Sequence, residues 1–146
     1  MTDHDSDTAS NHAEFRLDRT GDRPVAFSGR RLASIAGNTH VGREVNRWYD
    51  IDMYQTASGK FIANVRFETQ WRGEPPHSEV FVADNATAVS DWLTGGFDPL
   101  SVLRGFPPGE KYAERQQALE ADMLQLFEHR VSQLLRECGD LFVDRL

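Results

Sequence analysis

Five histidines, a single cysteine and a scatter of carboxylates are the groups in this chain with the most chemistry open to them, and their spacing decides what they could do. A zinc hydrolase needs two histidines one helical turn apart with a glutamate between them, so that both imidazoles meet one ion. His4, His12, His40, His77 and His129 instead occur singly. His4 and His12 sit among Asp3, Asp5 and Asp7 in a segment with too few apolar residues to fix a ligand geometry. A phosphate loop requires a glycine five residues before its Gly-Lys pair, and Tyr54 occupies that place before Gly59-Lys60. Gly37-Asn38-Thr39-His40-Val41-Gly42 could wrap an anion, but it precedes a strand rather than a helix N-terminus and reads as a loop. Cys138 falls on the apolar side of a helical stretch, where a thiol behaves as a small hydrophobe. No catalytic, metal or cofactor set is assigned.

Two constellations remain. Glu74, His77 and Glu79 could supply an acid and a base in a loop, with His40 as a further candidate; they suggest a small-ligand binder or enzyme using loop histidines. Trp48, Tyr54 and Arg66 lie near one sheet face, with Arg47 and Arg72 close in sequence. Aromatics interleaved with arginine are what single-strand-binding sheets use to stack bases and contact phosphate. Asp50, Asp52 and Glu68 share that face and would repel phosphate, which favours a covered face or a protein contact there.

Charge points the same way. Residues 1–14 carry four acids and no Lys or Arg, residues 15–83 carry ten basic and eight acidic side chains, and residues 84–146 carry six basic and eleven acidic, for a net charge of -7. A duplex binder needs a dense basic face to release counterions, so nucleic acid is not the expected partner. One cysteine permits no intrachain disulfide, no long apolar run suggests a membrane span, and the acidic N-terminus lacks a secretory pattern. A bacterial cytoplasm is the expected location.

These residues must be positioned by an α+β fold: an antiparallel β-meander of four to five strands over residues 15–83 and helices over 84–146, packed on one sheet face, after a disordered acidic tail at 1–14. The clearest element is a hairpin in which Tyr49, Ile51 and Met53 alternate with polar partners, as do Ala63, Val65 and Phe67. Because opposed residues share a face, only a three-residue loop Ala57-Ser58-Gly59 pairs Met53 with Ala63, Ile51 with Val65 and Tyr49 with Phe67, leaving Asp50 opposite Arg66 and Trp48 opposite Glu68. Continuing the pattern pairs Trp71 with Ser78 and Phe67 with Val82, giving an Ile51, Val65, Val82 face beneath the helices. Upstream, Val25, Phe27 and Ile35 join that face opposite Gln55, Met53 and Val45.

Asn85 and Asp98 are placed to cap short helices, and Glu110 to Cys138 reads as one helix ended by Gly139. On a helical wheel its apolar residues cover roughly 160°, from Leu119 and Met123 round to Leu124 and Leu135, wider than the about 100° that one core needs. With Leu141 and Phe142 beyond Gly139, this stripe predicts an interface and a homodimer. The function expected from the whole is a non-enzymatic interaction or accessory module acting through protein contacts. Its candidate surface is Trp48, Tyr54, Arg66, Leu141 and Phe142.

Overall fold

The computed structural model describes residues 12–142. It is an α+β fold built on a five-stranded antiparallel sheet in the order β1 (Ala13–Arg19), β2 (Asp22–Ile35), β5 (Arg47–Thr56), β6 (Phe61–Thr69), β7 (His77–Ala83). A two-stranded hairpin, β3 (Thr39–His40) and β4 (Arg43–Glu44), interrupts the run between β2 and β5. Then follow α1 (Ala86–Asp91), a π-helical turn Trp92–Gly96, a 3-10 turn Pro99–Val102, α2 (Glu110–Glu137) and a last 3-10 turn Gly139–Phe142. None of these helices is long and apolar enough to cross a membrane. Residues 1–11, most of the expected tail, lie outside the described residues; Ala13 and Glu14 already pair with Gly29 and Ser28.

The central hairpin has the predicted register: Tyr49 opposes Phe67, Ile51 Val65, Met53 Ala63, Asp50 Arg66 and Trp48 Glu68. Gly59 closes the loop at φ 93°, a conformation that costs a side-chain-bearing residue contact with its own backbone. Alternation alone sets this register, since a slip of one residue would turn Ile51 or Val65 to the opposite face.

Two flanking registers differ from the sequence expectation. In β2, Ile35 pairs with Ile51 and Ala33 with Met53, but Arg31 pairs with Tyr54, because a bulge at Leu32 inserts one residue. A single added residue reverses the faces on either side of it. Ile35 therefore lies beneath the helices while Phe27 and Val25 lie on the other face, paired with Phe15 and Leu17 of β1. In β7, Phe67 opposes His77 and Ile62 opposes Val82, so Val82 is exposed and Phe81 and Ala83 take the helix side. The connecting loop causes this shift. Pro75 and Pro76 have no N–H to donate to a ladder, and Glu74 folds back to accept from Arg47 and Thr69, so pairing starts only at His77.

The sheet also curls. β2 pairs with β1 through its first half and with β5 through its second, and Gly29 sits at the changeover, opposite both Ala13 and Thr56. A Cβ at Gly29 would collide with the Gln55 carbonyl oxygen. The curl brings the outer edges together: Thr20 N donates to Ser78 O (2.8 Å) and Ser78 Oγ to Asp18 O (2.7 Å). The sheet consequently has two cores. Tyr49, Ile51, Met53, Val65 and Phe67 pack against Met123, Leu126, Phe127, Val131 and Leu134 of α2. Leu17, Tyr54 and Ile62, with Phe15, Phe27 and Val80, fill the concave side.

Candidate functional site

The expected surface does not form one open face. Tyr54 is only 2% exposed, its ring tilted against Phe15 at 4.9 Å, edge-on to Phe27 at 5.3 Å and under the Arg31 guanidinium at 5.9 Å, which leaves no face for a base. Burial, then Asp52, pushes its hydroxyl pKa up. Arg66 is engaged by its own neighbours, donating to Asp52 Oδ2 (2.9 Å) and Asn64 Oδ1 (3.2 Å) with Asp50 at 3.9 Å. Burial would lower its pKa, but the Asp52 charge and hydrogen bond and the Asp50 charge outweigh it and raise it. Trp48 is half-buried, its Nε1 donating to Asp50 Oδ1 (3.0 Å). Leu141 is exposed, whereas Phe142 packs on the main core. The histidines expected in loops lie instead in strands, His40 in β3 and His77 in β7, and they separate: His40 lines a groove beside α2, and His77 pairs with Glu79 (3.6 Å) at a cavity of about 410 Å³ that Asn64, Arg66 and Glu68 also line. At Glu68, burial and then the Asp50 charge raise the pKa. Glu74 turns away from both histidines to Arg47 (2.8 Å). Among the described residues, no three of His, Cys, Asp and Glu come together as metal ligands.

What the fold does assemble is a groove of about 520 Å³ between the β3–β4 hairpin, the start of β5 and one flank of α2, with Leu119, Met123 and Leu126 on the helix side. Among the described residues, Val41, 75% exposed, and Trp71, 52% exposed, are the exposed large apolar side chains that line it. Each is held in place. Val41 and Gly42 form the hairpin turn with φ 51° and 74°, the pair of positive angles that matches strand twist, although a β-branched residue resists that region. The Arg47 guanidinium lies 5.6 Å from the centre of the Trp71 ring and is itself tied to the buried Glu74 carboxylate.

The hairpin wall is pinned to the helix by Arg130, 4% exposed, which donates to Gly37 O (2.7 Å) and Thr39 O (2.9 Å). Gly37 N in turn donates to Asp50 Oδ1 (2.9 Å). Burial pushes the Arg130 pKa down, and Asp50 opposes that shift. His40 and His129 meet edge to face at 5.2 Å, and His40 Nδ1 is buried without a hydrogen-bond partner. Burial, then His129 and Arg130, hold the His40 pKa below its ordinary value.

Sequence reasoning missed this groove because it placed Trp71 inside a paired strand and the Val41 segment in a loop. One signal was available: Arg130 falls between Leu126 and Met123 on the buried face of the helix. A charge there needs partners from elsewhere in the fold.

The wide apolar stripe of α2 meets three different surroundings. Its centre packs on the sheet, Leu119 reaches the Trp71 groove, and Leu124 and Leu135 border a second groove on the opposite flank. The class these features define is an α+β domain whose curled antiparallel sheet carries one long helix with a groove along each side. No family model and no solved structure matches the chain. Among curated proteins it is similar to the ATP-dependent zinc metalloprotease FtsH of Nitrosococcus oceani, 30% identical over 112 residues that make up 75% of this chain. The chain spans only about 17% of the length of that protein.

Proposed function

We propose that this chain is a non-enzymatic interaction module of a bacterial cytoplasm, which holds a segment of another protein in the groove between the β3–β4 hairpin and α2. The observation that carries this reading is the exposure of Trp71 and Val41 along one groove. An aromatic ring backed by arginine, beside aliphatic side chains that water would otherwise cover, has the composition of residues that dominate protein interfaces. The similarity to part of a protease supports an accessory role. This chain has neither the Gly-Lys phosphate loop nor the His-Glu-x-x-His pair that ATP and zinc chemistry would use, so its shared stretch is read as a part that contacts proteins. Self-association belongs to the same reading, with a second copy as the protein held.

A photo-crosslinking amino acid placed at Trp71, compared with one at exposed Val82 across the sheet, tests this in the native host. A defined protein should be trapped from position 71 and not from 82, and Val41→Asp should abolish the adduct. Equal labelling from both positions, or an adduct indifferent to Val41→Asp, refutes the reading. Light scattering on the purified chain separates a partner copy from a different protein.

A further inference from the structure

The second groove lies on the opposite flank of α2 and is walled by the π-helical turn and the residues after it. Its volume is about 570 Å³, within the range of ligand pockets. Phe97, Phe127 and Val131 make an apolar floor, while Leu124 (37% exposed) and half-buried Leu135 form the helix-side lip. Among the described residues, two charged side chains line it, Asp98 and Glu128, both acidic, and no Lys, Arg or His does. They belong to residues 84–146, the part of the chain with eleven acids against six bases.

The groove is also pre-built. The wide turn closes through Phe97 N donating to Trp92 O (2.8 Å), a geometry that recurs at functional positions. Behind it runs a continuous set of ring contacts: Phe81 on Trp92 at 4.9 Å, Trp92 on Phe97 at 5.3 Å, Phe97 on Phe127 at 5.2 Å and Phe127 on Tyr49 at 5.0 Å. The Tyr49 hydroxyl, fully buried, donates to Pro99 O (2.6 Å) and fixes the far wall. Gly95 adds an open side, since a Cβ built there meets nothing within 4 Å. A site whose walls are fixed before binding loses little order when it is filled.

We propose that this groove binds a short segment of a partner protein that offers an apolar side chain flanked by lysine or arginine. The apolar side chain covers Phe97, Phe127 and Leu124, and the cations meet Asp98 and Glu128. Acidic rims over an apolar floor select for that combination and against an acidic segment, whose charges would face like charges as it entered. The proposal shares with the functional reading only the idea that the chain acts by protein contacts. It uses different residues from the Trp71 groove, so either can fail alone.

The test is titration of ¹⁵N-labelled full-length protein with three synthetic peptides: Gly-Arg-Leu-Leu-Arg-Gly, its Glu-flanked counterpart, and Gly-Arg-Ser-Ser-Arg-Gly. The first should shift amide signals of residues 93–99 and 124–135, bind at least about tenfold more tightly than the other two, and weaken with added salt. Glu128→Lys should remove most of that preference. Gly95→Arg, at an open and exposed position that tolerates a side chain, should block binding while leaving the spectrum dispersed. Shifts confined to the Trp71 groove, equal binding of all three peptides, or binding unchanged in both variants would overturn the proposal. So would concentration-dependent shifts at 93–99 and 124–135 without peptide, accompanied by a dimer mass, because the occupant would then be a second copy.

Discussion

Replacing Arg130 by methionine isolates the contact that joins the long helix to the hairpin wall. The guanidinium is buried and gives two charge-assisted hydrogen bonds, to Gly37 O and Thr39 O, at 2.7 and 2.9 Å. Such bonds contribute about 1.5–3 kcal/mol each, and both carbonyls lose their donor in the variant. Methionine keeps most of the stem's packing and avoids the desolvation of a buried charge, which returns a few kcal/mol. The expected balance is a loss of about 2–3 kcal/mol. Urea unfolding followed by tryptophan fluorescence reads it directly, because Trp48 and Trp71 lie on the strand and loop that border the hairpin. Hydrogen exchange supplies the spatial check: amides of residues 37–44 should exchange faster while those of Ile51 and Val65 keep their protection relative to global stability. A change within about 0.5 kcal/mol, or a stabilisation, would refute the reasoning by showing that desolvation of the guanidinium cancels its two bonds.

Gly59→Val should destabilise the chain by about 1 kcal/mol or more, since φ 93° is closed to a β-branched residue; an unchanged urea midpoint would contradict the hairpin geometry. His40, facing His129 and Arg130 of α2 and opposite Arg43 in the hairpin, has a folded pKa below the ordinary 6.5. The unfolded chain therefore takes up the proton first, so stability present above about pH 6.5 should fall as the pH drops toward the folded value. Urea midpoints between pH 7.5 and 5.5 should show a slope that His40→Gln reduces; identical slopes would count against it. Burial, and then Glu137, push the Cys138 thiol up to about 11, so alkylation at pH 8 should be far slower in the native chain than in urea. Equal rates would show that the thiol is not shielded.

Much of the fold was legible where the deciding interactions are local. Alternation in 49–53 and 63–67 distinguishes two chemically unlike faces, so one loop length satisfies both strands, and Gly59 completes it. Asn85 and Asp98 were recognisable as caps for the same reason, each side-chain oxygen reaching an amide two or three residues on: Ala88 N at 2.8 Å and Leu100 N at 3.0 Å. The long helix, its end at Gly139 and the excess width of its stripe followed from periodicity.

What the sequence by itself could not decide lies in contacts between distant segments. The Leu32 bulge leaves no periodic trace, because Val25, Phe27 and Ile35 share the same parity, and only pairing with both β1 and β5 sends Phe27 and Ile35 to opposite faces. The β7 register depends on Glu74 finding Arg47 and Thr69, an arrangement available only once β5 and β6 are side by side. Tyr54 and Arg66 do share a face and both donate to Asp52 Oδ2, but the curl that draws Tyr54 into a second core covers its ring. Docking the hairpin on Arg130 instead builds one wall of a groove that Val41 and Trp71 line. Local propensity settles which segments become strands or helices and how neighbouring strands align. Which side chains remain uncovered is set by long-range packing, where the energy of each position depends on residues tens of places away.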